Sequence, residues 1–130
     1  MYKLLIITGT IIFSFYGKAQ DVINVKKFEA GNRPVVTNNL FSDSLVSSFC
    51  IIIKSEVRAH KHMNHSEHVI VQEGEALMKL GDKEFNIKEG DVIFIPKGTT
   101  HSVLVKGKKP LKVISVQAPL FKGDDRVMME

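Results

Sequence analysis

From Leu45 onward the chain consists of short apolar runs separated by turn formers: LVSSFCIIIK, HVIVQ, ALMKL, EFNIK, DVIFIP, HSVLVK and LKVISVQ. Each is rich in Val, Ile or Phe, and several alternate apolar with polar residues, the period of a strand with one buried face. Gly74, Gly81-Asp82, Gly90-Asp91, Pro96 with Gly98, and Lys109-Pro110 fall between them and supply turns. Such even spacing, with no long stretch of helical period, predicts an all-β sandwich or barrel over residues 45–118. Cys50, the single cysteine, lies inside the run FCIII and reads as a small buried hydrophobe without an intrachain partner.

Two flanks do not share this texture. Residues 20–44 contain turn formers at Gly31-Asn32 and Pro34 and read as an N-terminal arm with short strand pieces. Residues 119–130 are polar and are expected to be irregular or to pack as an extended flap. At 130 residues the chain suits one core, not two.

The start differs again. Met1-Tyr2-Lys3 brings a positive charge, and Leu4 to Gly17 is a nearly uncharged, largely apolar run of 14 residues. This is shorter than the ~20 residues that span a bilayer. Gly17 and Ala19 are the small residues of a cleavage site, so residues 1–19 are expected to be a secretory signal peptide, cut near Ala19 or Gln20. A membrane anchor or a buried N-terminal helix is the competing interpretation. The absence of a cysteine near Ala19 removes a lipoprotein signal, so the mature chain is expected to be secreted or periplasmic, without stable membrane insertion.

Charge changes the picture little. The formal net charge is +4, and loss of Lys3 and Lys18 with the signal would leave +2. The remaining lysines are scattered apart from KGKKP at 106–110, which reads as a solvated hairpin; no nucleic-acid signature is present.

The candidate chemistry is in HKHMNHSEH, residues 60–68, which holds four of the five histidines. On a strand, a spacing of two puts His60 and His62 on one face, where two imidazoles can converge on one ion. The polar stretch MNHS suits a turn that would bring Glu67 back beside them. His101 follows PKGTT, where Pro96 ends a strand and Gly98 permits a sharp turn, and it would point into the same space. Three imidazoles and one carboxylate suit Mn, Fe, Co, Ni, Cu or Zn and lack the thiolates of a closed structural zinc site. Four such ligands on a six-coordinate ion leave about two positions open. His65, inside the presumed turn, is expected to be solvent-exposed, with a role beside the site as the alternative. His68, next to Glu67, should point to the opposite face.

These residues form two motifs that resemble those of the cupin superfamily. His60, one residue, His62, four residues, Glu67, six residues and Gly74 match the first; Gly90, five residues, Pro96, one residue, Gly98, two residues and His101 match the second. The resemblance covers Val57 to about Gln117 and implies a single-domain jelly-roll β-barrel of two packed antiparallel sheets. It also implies one divalent metal ion per chain, bound by His60, His62, Glu67 and His101 in the barrel mouth. The second motif often ends with an Asn for which the stretch from Ser102 to Val105 has no counterpart. The motif glycines read as structural, with Gly74 and Gly90 serving turns and Gly98 the loop that aims His101.

Fold and site do not determine a reaction. The resemblance leads to a metal-dependent enzyme of dioxygenase, decarboxylase or isomerase type acting on a small molecule. The alternatives are a non-catalytic module that binds a metal or metabolite, and an intact fold whose site is empty in the cell. His65, Glu73 and Glu75 are the nearby candidates for an additional acid or base. Exposed edge strands make a homodimer the expected assembly.

Overall fold

The computed structural model describes residues 21–130; the expected signal peptide lies outside the described residues. A single turn of 3-10 helix at Val25–Lys27 is capped by the Asn24 side chain, which accepts the Lys26 N–H. Ten strands follow: β1 (Val35–Ser42), β2 (Ser47–Ile53), β3 (Glu56–Lys61), β4 (Ser66–Glu73), β5 (Glu75–Leu80), β6 (Lys83–Lys88), β7 (Val92–Ile95), β8 (His101–Lys106), β9 (Leu111–Ala118) and β10 (Val127–Met128).

They form two five-stranded sheets, in the orders β1-β2-β9-β4-β7 and β10-β3-β8-β5-β6. Every pairing is antiparallel. The apolar residues of the alternating runs meet between the sheets, where Val71, Met78, Ile87, Ile95, Leu111 and Val113 are buried. No helix of the described residues is long and apolar enough to cross a membrane.

The unbroken apolar run in β2 has a specific cause. Ile53 packs into the core between the sheets, whereas Cys50 and Ile52 pack on the outer side against Val36 and Ala30, with Val25, Phe28 and Leu40 around them. A strand buried on both faces has no polar face to alternate with. Its outer cover comes from residues 25–40. The segment expected as an arm therefore includes a complete edge strand, β1, whose VVTNN pairs in register with β2 from Val35 opposite Ile53 to Asn39 opposite Phe49. Two adjacent asparagines weaken the strand pattern there, and the neighbouring strand supplies the pairing that local preference does not.

The inner faces of β4 and β9 position the site. Along β9, Leu111 and Val113 give way to Ser115 and Gln117, all buried; along β4, Val71 and Val69 give way to Glu67. Gln117 lies directly opposite Glu67 in register. One end of the barrel is therefore apolar and the other polar, and the polar end is where β3 and β8 bring His60 opposite His101.

Candidate metal centre

His60 lies near the end of β3, just beyond a register irregularity between Val57 and His60. His62 follows one residue past the strand, and its carbonyl accepts the Gly98 N–H, joining it to the loop before His101. Gly98 has φ +78, a backbone conformation that other residues adopt at a cost. These two chain segments carry all three imidazoles into one buried cluster. Ring centroids are 4.2 Å apart for His60 and His101, 5.2 Å for His60 and His62, and 5.5 Å for His62 and His101.

The hydrogen bonds assign the protons. Nδ1 of His60 faces the Arg58 carbonyl at 2.9 Å, Nδ1 of His101 faces the Thr99 carbonyl at 3.0 Å, and Nδ1 of His62 faces the Asp125 carbonyl. A carbonyl oxygen can only accept, so each Nδ1 donates, and in the neutral ring it is Nε2 that carries the free lone pair. One nitrogen from each ring lies within 4.8 Å of the others, a spacing that could hold a metal ion.

Glu67 is the anionic member of the group. Its Oε2 is 3.6 Å from His62 Nε2 and 3.5 Å from His101 Nε2, and its Oε1 accepts from the Ser115 hydroxyl. Burial pushes the carboxyl pKa up, but the contacts from His101 and Ser115 outweigh it and hold Glu67 below its ordinary value. Burial, reinforced by His101, Arg126 and His62 against the opposing Arg58 carbonyl, pulls His60 down to about 4. At neutral pH His60 is therefore a neutral imidazole and Glu67 an ionised carboxylate, the protonation states that metal binding requires of such groups.

Glu67 is held by a chain of side chains, since Ser115 in turn accepts from Gln117 Nε2 at 3.2 Å. Ser115 and Gln117 are the in-phase polar residues of LKVISVQ; the periodicity of that strand was the signal for them.

The expectation that His65 is exposed does not hold, since it is 5% exposed. The C-terminal segment folds over the turn and covers it. Nδ1 of His65 faces an Asp125 carboxylate oxygen and Nε2 faces the Leu120 carbonyl at 3.1 Å. Phe121 presents ring edges or faces to His62, His65 and Phe49, with centroids 5.9, 5.2 and 6.0 Å away. Its N–H donates to Ser47 Oγ. Nothing in the polar tail marks Asp125 as the partner of a turn 60 residues earlier. His68 lies where alternation puts it, on the outer face and exposed, 4.9 Å from the ring of Phe94.

A cavity of about 320 Å³ opens beside the cluster. His60, His62, Glu67, His101, Gln117 and Arg126, with Thr37 and Ser102, make its polar part, and side chains such as Phe49, Ile51, Val57 and Val103 make its apolar part. Small-ligand sites share this character, mostly apolar walls with a few convergent polar groups.

The family model described as the mannose-6-phosphate isomerase C-terminal region matches residues 37–130. An uncharacterised protein of Methanocaldococcus jannaschii is 33% identical over 78 residues, 60% of this chain and 62% of that protein. A mannose-1-phosphate guanylyltransferase of Salmonella typhimurium is 32% identical over 81 residues, 61% of this chain but 17% of that protein. The chain thus spans less than two thirds of either relative. Among solved structures, a Klebsiella pneumoniae protein with a double-stranded β-helix domain superposes with a TM-score of 0.74 at 19% identity, covering 85% of this chain and 98% of that one. The fold is the cupin-like double-stranded β-helix that the two motifs led us to expect.

Proposed function

The chain belongs to the mannose-6-phosphate isomerase C-terminal family, and from that premise we propose that it is a metal-dependent enzyme acting on a small molecule. His60, His62, Glu67 and His101 hold one divalent transition-metal ion per chain in this reading. The observation that carries it is the set of three Nδ1–H···O=C bonds, which leaves Nε2 as the free nitrogen of each neutral ring, in a cluster where one nitrogen of each ring lies within 4.8 Å of the others beside an ionised carboxylate. A bound ion would supply Lewis acidity or redox chemistry at its open positions.

The reaction types that fit are those of a dioxygenase, a decarboxylase or an isomerase. Family and relative names point to sugar phosphates as one substrate group to test. The polar end of the cavity would orient the substrate, and its apolar walls would exclude water. Export of the mature chain is part of the proposal and rests on the N-terminal sequence alone. A homodimer is also part of it, supported by the open edges at β1 and β7 and by exposed Val92 and Phe94 on β7.

One observation favours a non-catalytic binding module as the second reading. Among the described residues that line the cavity, Arg126 is the sole ionisable side chain beyond the four proposed ligands. His65 is committed to Asp125, and Glu73 pairs with Lys112 at 3.3 Å. Proton transfer would therefore fall to the ligands or to water.

Protein purified without a polyhistidine tag should carry close to one transition-metal ion per chain, and a His60→Ala/His62→Ala variant little. Equal metal in the two would overturn the site. The loaded protein should then be screened for oxygen uptake and for turnover of sugar phosphates, dicarboxylates and diketones. Turnover that disappears in the double variant supports the enzyme, and none across the screen shifts weight to the binding module.

A further inference from the structure

Arg126 is held at the cavity by the backbone on either side of it. The preceding residue, Asp125, accepts the N–H groups of Met63 and Asn64 through its carboxylate and receives Nδ1 of His62 at its carbonyl. The next two residues, Val127 and Met128, pair with Lys61 and His60, and the Met129 N–H donates to the Ala59 carbonyl. A side chain leaving a backbone fixed in this way can reach few places. Arg126 lines the cavity and is exposed to solvent. Its charge is felt at His60, where it helps to pull the ring pKa down. The guanidinium therefore lies at the wet end of the cavity, within electrostatic reach of the histidines.

That charge has no counterion, since Arg126 joins no ion pair among the described residues. The carboxylates closest to this end are used elsewhere, Asp125 by His65 and the turn, Glu67 by Ser115 and the histidines. For holding a metal ion alone, such a charge is unfavourable, because it repels a cation bound at His60, His62 and His101. An incoming anion reverses the sign of that effect. A guanidinium stays charged at every working pH and presents a planar fork that matches a carboxylate. Much of the remaining wall is apolar, with Phe49, Ile51, Val57 and Val103 in it. At about 320 Å³ the space is at the small end of ligand sites.

We propose that Arg126 selects the ligand of this cavity, pairing with the carboxylate of a small acid whose short hydrocarbon part lies against the apolar walls. One guanidinium offsets one negative charge, so a monocarboxylate suits the metal-free cavity better than a phosphate dianion. The preference for an acid rests on Arg126 and the walls and holds without a metal; where the ligand would react rests on the metal-centre reading.

The test compares isovalerate with isovaleramide, which share a skeleton and differ in charge. Each is titrated into full-length, isotope-labelled protein stripped of metal and followed by NMR. Wild type is expected to prefer the acid about fivefold, the size of an ion pair that stays partly in water. The acid alone should displace the Nε–H resonance that Arg126→Gln removes, and the preference should shrink as salt is added. In Arg126→Gln, which stays polar and loses the charge, the acid should weaken by about the same fivefold while the amide binds as before. Arg126→Lys, which keeps the charge without the fork, should restore part of the preference.

An unchanged preference in Arg126→Gln, an amide that weakens as much as the acid, or failure of isovalerate to bind wild type would overturn the proposal. Tighter binding of isopentyl phosphate than of isovalerate to the metal-free protein would overturn the carboxylate assignment. Cobalt d–d bands recorded before any acid is added report the metal centre separately. If they are absent, the metal reading fails while the metal-free preference still decides the role of Arg126; if they are present and the preference is missing, the metal centre stands and the selection by Arg126 fails.

Discussion

His65 donates through Nδ1 to the Asp125 carboxylate, and that carboxylate also receives the N–H groups of Met63 and Asn64, each at 2.8 Å. One side chain from the C-terminal segment thus closes the whole turn between β3 and β4. Its backbone acts as well, because the Asp125 carbonyl holds Nδ1 of His62. The segment expected as a polar tail orients a member of the histidine cluster and roofs the cavity with Phe121.

Asp125→Ala removes the acceptor for two backbone N–H groups and one buried imidazole. Leaving such donors unsatisfied should lower unfolding stability by about 3 kcal/mol, read from urea denaturation of the metal-free protein. His62 should also lose its fixed orientation, so cobalt affinity should drop by about tenfold or more. Asp125→Asn, which keeps an acceptor oxygen, should recover part of both losses. Wild-type cobalt affinity in Asp125→Ala would show that the turn does not position His62.

The same pair makes stability depend on pH in a defined direction. Burial lowers the His65 pKa, but the Asp125 carboxylate and the Leu120 carbonyl outweigh it and hold it above the ordinary 6.5. Both ring nitrogens face acceptors, which only the imidazolium satisfies. For Asp125, burial acts upward and the bonds from His65, Asn64 and Met63 act downward more strongly, to about 2 from 3.8. A raised histidine stabilises fully below its unfolded pKa and loses that contribution as pH climbs through the folded value. A depressed carboxylate stabilises above its unfolded pKa and loses its contribution as pH falls through the folded one. The pair should therefore contribute most between 3.8 and 6.5. The urea midpoint should decline above that window in wild type and decline less in His65→Gln. Parallel pH profiles for the two proteins would contradict the assignment.

Much of the barrel could be read from periodicity, because seven of its strands bury one face or two and carry that in local sequence. The HKH pair, Glu67 and His101 could be read too, since alternation and turn formers are local signals. What escaped depends on distant partners. Strand β1 includes Asn38 and Asn39 and is a strand because β2 pairs with it. His65 is buried because Asp125 and Leu120 arrive from 60 and 55 residues away. No window of sequence around MNHS contains that information.

Two glycines of the motifs make different demands. Gly74 has φ +81, and a Cβ there would lie 2.5 Å from the Pro110 carbonyl oxygen; Gly90 has φ +92 with nothing within 4 Å. Gly90→Ala should cost about 1 kcal/mol for the backbone conformation alone. Gly74→Ala must also push apart the β4–β5 turn and the start of β9, and should cost about 3 kcal/mol or more. Equal denaturation midpoints for the two variants would show that the approach of Pro110 is relieved without cost.

Ser115→Ala tests how the barrel wall tunes the carboxylate beside the candidate metal centre. The hydroxyl is one of the groups that hold Glu67 below its ordinary pKa against the pull of burial. Without it, Glu67 should take up a proton more readily, and protons compete with metal for the same oxygen. The expected result is a loss of cobalt affinity that is modest at pH 8, about threefold, and larger toward pH 5, about tenfold or more. The pH at which cobalt is half released should therefore rise. A variant that lost affinity by one factor at every pH would point to a displaced ligand and not to a shifted protonation. One that lost none would remove Glu67 from the set of ligands that Ser115 serves.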